Sequence, residues 1–76
     1  MLFRSANNSR LHLAISRMFV EQHKYDSAIS HGNIAMRLAK ESGNIDVQIE
    51  DYDLLHQAYK GKKRFPEALD YIEKYI

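Results

Sequence analysis

Apolar residues return along this chain at the spacing of a helix. Leu11, Ala14, Ile15, Met18 and Phe19 fall at offsets 0, 3, 4, 7 and 8, which is one stripe of a helix and the face expected to enter the core. A second stripe is Ala28, Ile29, Gly32, Ala35, Met36 and Ala39. A third is Leu54, Leu55, Ala58 and Tyr59, preceded by Ile45, Ile49 and Tyr52. A fourth is Ala68, Leu69, Ile72, Tyr75 and Ile76. Clusters of β-branched residues in period-two alternation are absent, so an all-α chain of about four helices is expected.

Polar residues between the stripes supply starts and stops. Asn8 or Ser9, then Asp26, then Asn44 offer side-chain oxygens that can cap orphan backbone N–H groups. Ser42-Gly43-Asn44 stops the second helix, because glycine accepts the left-handed conformation on which helices often end. Gly61, in the basic turn Lys60 to Arg64, is expected to end the third. Pro66 begins the fourth, where a missing N–H is harmless, with Glu67 in its first turn. Residues 1–8 read as a flexible leader and residues 9–76 as the folded domain.

The four stripes are two copies of one pattern. Shifting residues 11, 14, 15, 18, 19, 25, 28, 29, 32, 35 and 36 by forty gives eleven pairs, and nine are apolar at both ends. The exceptions are Leu11/Asp51 and Gly32/Ile72. Two helix–turn–helix units at one spacing, about 9–43 and 44–76, indicate a short solenoid.

Ile15-Ser16, Phe19, Tyr25 and Ala28, echoed by Leu55-His56, Tyr59, Phe65 and Ala68, resemble the tetratricopeptide repeat (TPR). The forty-residue period is similar to the longer form found in bacterial signalling regulators and sensor kinases and in some eukaryotic scaffold adaptors. The stretches LAKESGN and DYDLLHQAYKGKKRFPEALDYIEKYI carry that likeness. The pattern departs from the family at Ser16 and His56, where glycine or alanine is usual, at the turn residues His23 and Lys63, and at Lys40, where the repeat normally ends in proline. The resemblance implies antiparallel hairpins stacked as a superhelix, and a protein- or peptide-binding role without catalysis. It also implies a concave groove lined by the first helix of each unit, here Arg10, Leu13, Arg17 and Val20, then Glu50, Asp53, Gln57 and Lys60. The lysine/asparagine clamp of chaperone-tail-binding members is not present, since Leu13 and Arg17, then Asp53 and Gln57, stand in its places.

Composition narrows this picture. Eleven Lys and Arg against ten Asp and Glu leave a net charge of +1, too balanced for general nucleic-acid binding. There is no cysteine, hence neither disulfide nor thiolate metal site. The longest apolar runs have three residues, for example Leu13 to Ile15 and Met18 to Val20, against about 20 for a membrane span. MLFRSANNSR lacks the apolar core of a signal peptide, so the cytoplasm is the default location.

Candidate chemistry is thin. His12, His23, His31 and His56 show no i, i+4 pair and no H-E-x-x-H spacing, so solvent or turn histidines are expected, with no metal or other cofactor. His56 to Gly61 is loosely like a histidine-phosphotransfer motif, but its lysine falls four residues after the histidine rather than three. Glu50, Asp51 and Asp53 read as a solvated carboxylate face, and Lys60, Lys62, Lys63 and Arg64 as a solvated basic turn. Arg17 and Asp53 are positioned to pair. Two repeats are fewer than the three or more that usually stabilise a solenoid. Tyr71, Ile72, Tyr75 and Ile76 leave an apolar end, so a homodimer through the fourth helix, or a further repeat that follows it, is expected. An alternative role is a dimerisation or spacer segment of a sensor kinase or transcription regulator.

Overall fold

The computed structural model describes residues 4–75, with the side chains of residues 8–74. Four helices follow one another: α1 (Arg4–Glu21), α2 (Tyr25–Ser42), α3 (Ile45–Gly61) and α4 (Phe65–Tyr75). No strand occurs among the described residues, so the all-α fold of antiparallel hairpins is observed.

Each helix that meets a turn closes it in one way. Lys24 N–H donates to Phe19 O (2.8 Å) and His23 N–H to Val20 O (3.0 Å), with His23 at φ 61°. Arg64 N–H donates to Tyr59 O (2.9 Å) and Lys63 N–H to Lys60 O (2.9 Å), with Lys63 at φ 63°. Asn44 N–H donates to Ala39 O (2.8 Å) and Gly43 N–H to Lys40 O (3.3 Å), with Gly43 at φ 71°. These are the paired bonds that satisfy the last carbonyls of a helix through one left-handed residue. Asn44 then caps α3, its Oδ1 accepting Val47 N–H at 3.2 Å.

Several expected boundaries move. α1 already runs from Arg4 through Asn8 and Ser9, so neither caps it and residues 4–8 are helical; residues 1–3 lie outside the described residues. Lys24, not Asp26, holds the position before α2, and its side chain makes no capping bond. Asp26 instead pairs with Lys62 across the two units. Gly61 ends α3, as expected. A Cβ there would overlap the Tyr25 ring, so glycine leaves the ring its place.

The core lies between α1, α2 and α3, where Leu13, Ala35, Ala39, Val47 and Leu54 pack together with Val20 against them. The α2 face is as its stripe indicated: Ala28, Gly32, Ala35, Met36 and Ala39 are buried. The α1 face is not. Ser9, Leu13 and Ser16 are buried, whereas Leu11 is 55% and Met18 44% exposed, and Ala14 is exposed too. A serine can replace an apolar residue here because its hydroxyl finds a backbone acceptor: Ser16 Oγ donates to Ala28 O at 2.8 Å. In α3, Val47 and Asp51 enter the interior while Ile45 and Ile49 stay exposed. In α4, Ala68 is buried and Leu69 exposed.

The forty-residue period holds in three dimensions. His56 Nδ1–H donates to Ala68 O at 2.8 Å, the bond that Ser16 makes with Ala28 O in the first unit. In that unit the His31 ring of α2 stands beside His12 and Phe19 of α1, with ring centres 5.2 and 5.6 Å away. In the second, Tyr71 of α4 stands beside Tyr52 and Tyr59 of α3, at 6.2 and 5.5 Å. All three positions are related by the same shift of forty.

Candidate functional site

α1 and α3 lie side by side, and the residues expected to line their groove divide into two groups. Leu13 does not line it: it is only 2% exposed and belongs to the core, where its burial contributes about 1.5–3 kcal/mol. Val20 is half-buried against the same core. Arg10, Arg17, Glu50, Gln57 and Lys60 are exposed, and Asp53 is half-buried.

Two arginines of α1 converge on one carboxylate of α3. Arg17 Nη2 lies 3.2 Å from Glu50 Oε1, and Arg10 Nη1 lies 3.9 Å from Glu50 Oε2. Arg17 therefore pairs with Glu50, not Asp53. The Asp53 carboxylate is taken from its own helix, accepting from Gln57 Nε2 at 2.9 Å. Such solvent-exposed pairs contribute roughly 0–1 kcal/mol each. The charged strip therefore holds little of the fold together.

Three further constellations lie outside the groove. His12 and His31 share a hydrogen bond, Nδ1 to Nδ1, of 3.0 Å. Their ring centres are 5.2 Å apart, so the two nitrogens lie between the rings and point at one another. That arrangement holds one proton between them and leaves no room for a second. Burial, then His31, then Arg37 lower the His12 pKa. The expectation of four separate solvent or turn histidines is therefore corrected for this pair and for His56, which the hairpin holds through Ala68 O.

Asp51 is the second constellation. It is not on a solvated carboxylate face: it is fully buried, and neither oxygen has a hydrogen-bond partner. Burial pushes its pKa up to about 7. It faces Gly32, where a Cβ would stand 3.2 Å from Asp51 Oδ1. The third lies at the joint between units, a shallow depression lined by His23, Lys24, Tyr25, Asp26, Ser27 and Lys62. The Tyr25 hydroxyl and His23 Nδ1 share a 2.7 Å hydrogen bond there.

Tyr71, expected at an open apolar end, is engaged in the second hairpin, with Lys74 Nζ 5.1 Å from its ring centre. Ile72 is half-buried, and the side chains of Tyr75 and Ile76 lie outside the described residues. Among the described residues no three His, Asp or Glu side chains are grouped as a metal site, and no helix is long and apolar enough to cross a membrane.

The repeat offset carried more than was read from it. His12/Tyr52 and His31/Tyr71 are ring-bearing at both ends, a signal that would have placed all four between the hairpin helices. Leu11/Asp51 and Gly32/Ile72 marked the Asp51–Gly32 contact as the place where the two units differ. Comparisons of the chain with protein-family models, with curated proteins and with solved structures found no match.

Proposed function

We propose that the chain is a non-catalytic, TPR-like protein- or peptide-binding module that captures a partner along the α1–α3 face. The single observation that supports this most is the strip formed by Arg10, Arg17 and Glu50, ordered across two units yet contributing little to the fold. Beside it, Gln57 and Lys60 present further exposed hydrogen-bonding groups. A bacterial signalling or regulatory protein of the cytoplasm is the setting that the likeness of LAKESGN and its neighbours suggests.

Binding of the protein to an array of random peptides tests the reading. Arg17→Ala and Gln57→Ala are expected to remove most of the binding signal while leaving the melting temperature within a few degrees. Variants that bind as the parent does, or that unfold, would end the assignment of this face.

A second reading, a dimerisation or spacer segment of a larger regulator, is favoured by exposed Leu11, Met18, Phe65 and Leu69. In that reading self-association uses the C-terminal helix through Leu69 and Ile72, since Tyr71 is already engaged in its own hairpin.

A further inference from the structure

One helix contact inside the molecule is offered a second time on its surface. Asp51, Leu54, Leu55 and Ala58 form a stripe of α3 that is at most 4% exposed, and α2 lies against it with Gly32 beside Asp51 and Leu55. Forty residues earlier the same positions of α1 are Leu11, Ala14, Ile15 and Met18. There Leu11 and Met18 are exposed, and among the described residues α4 makes no contact with α1.

The other half of the contact is open as well. Tyr25 and Ile29 of α2 are half-buried, the Tyr25 ring against Gly61 of the second unit. Their counterparts on α4, Phe65 and Leu69, are 56% and 57% exposed.

We propose that α4 of a second copy of this chain docks on the Leu11–Met18 stripe of α1, repeating between chains the contact that α2 makes with α3 within one. This rests on the reading that α4 self-associates, and names the surface it meets.

The two irregularities of the repeat choose the occupant. Inside, the small residue and the carboxylate face each other: Gly32 leaves room for Asp51. The same operator applied between copies brings Ile72 to Leu11 and Ile15. The departures from the pattern thus fall on opposite sides of one contact, and each contact is matched, glycine with a carboxylate inside and aliphatic with aliphatic outside. Ile72 in the place of Gly32 would press a branched side chain onto the buried carboxylate, so α4 suits the α1 stripe and not the α3 stripe. One corner differs: Glu21 stands where Gly61 leaves a seat for the Tyr25 ring, so Phe65 packs beside Glu21 rather than over it.

The operator that relates the units is not a two-fold axis. The contact is heterologous, each added copy leaves one α1 and one α4 face free, and the assembly is open.

Sedimentation velocity from micromolar to millimolar concentration tests this. The weight-average mass of the wild-type protein is expected to climb past the dimer without a plateau. Leu11→Glu with Met18→Glu blocks α1, and Leu69→Glu blocks α4; all three positions are exposed, and far-ultraviolet circular dichroism checks the helices. Each blocked protein is expected to stay monomeric alone, and an equimolar mixture to form a one-to-one complex. A wild-type protein monomeric at millimolar concentration overturns the proposal. So does a mixture that forms no complex, or a dimer that the α1-blocked variant still forms, which would mean α4 against α4. Peptide binding measured on the same variants separates loss of this contact from failure of the α1–α3 groove.

Discussion

The two hairpins share a frame and differ in what fills it. Both close their turns with the same pair of backbone bonds, and both tie the first helix to the second through a side-chain bond to one carbonyl, from Ser16 or from His56. Between the helices, the first places His12, His31 and Phe19, and the second Tyr52, Tyr71 and Tyr59. The backbone operator therefore does not demand a residue. It demands a donor at one position and flat rings at three others. The first unit meets it with two histidines and a phenylalanine, while the second meets it with three tyrosines and buries a carboxylate, Asp51, against the first.

Asp51 gives that comparison its largest expected effect. Its pKa of about 7 lies above its unfolded value, so the folded state keeps a proton that the unfolded chain has released. The stability this represents is fully present below the unfolded pKa of ~3.9 and is lost as pH rises to about 7. The difference between the two values corresponds to a loss of about 4 kcal/mol across that window. Urea denaturation at a series of pH values should show this slope in the wild-type protein and a nearly flat profile in Asp51→Asn. Asp51→Leu, which gives α3 the residue that α1 has at Leu11, should raise stability at mildly alkaline pH. An unchanged slope in either variant would mean that Asp51 is not the titrating group.

Gly61→Ala is expected to come next. The added methyl group meets the Tyr25 ring and should destabilise by about 1–3 kcal/mol, as overpacking usually does. Combining it with Tyr25→Ala should lessen the penalty of the glycine change. Glu21→Ala, at the matching position of the first unit, should change stability by less than about 0.5 kcal/mol. Thermal denaturation of the four proteins checks the pattern.

The tie between helices can be exchanged. Ser16→Ala strips the Ala28 carbonyl of a buried side-chain donor and should cost about 1–2 kcal/mol. His56→Ser should cost less than His56→Ala if the second hairpin closes around a serine as the first does. Chemical denaturation that finds the two His56 variants equal would show that the operator does not extend to this bond.

The smallest effect belongs to the histidine pair. The folded pKa of His12 is lowered, chiefly by burial. Its contribution to stability is present above the usual imidazole range and is lost as pH falls through the folded value. Doubly protonated rings would turn Nδ1–H against Nδ1–H and open the 3.0 Å bond. His12→Tyr with His31→Tyr copies the second unit into the first and should remove this acid-side loss, while leaving the opposite slope from Asp51 in place. Two-dimensional NMR of the histidine ring protons during an acid titration would follow the pair directly.

The helices, three turns and the forty-residue period were legible in the sequence because each is set locally. Gly43 and Asn44 stop one helix and cap the next within two residues, and the α2 stripe of small residues admits only one buried face. Facing was harder wherever a helix carries two plausible sides. α1 has an apolar stripe at Leu11, Ala14, Ile15 and Met18 and a mixed one at Ser9, Leu13 and Ser16, and letter counting prefers the wrong one. Leu13, expected on the groove, belongs to the core instead, because the same ambiguity turned α1 by part of a turn.

What the sequence determined by itself is the set of properties that depend on a few neighbouring residues: helical period, the Gly43 stop and the Asn44 cap, and the spacing that makes the two units alike. Tertiary structure alone decided that Ser16 is buried, that Asp51 sits against Gly32 without a partner, and that His12 meets His31. Each depends on an atom supplied by a distant helix: a carbonyl for the serine, a missing Cβ for the aspartate, a second ring for the histidine. The free energy of burying a polar group turns on whether that atom is present, and only the packed helices provide it or withhold it.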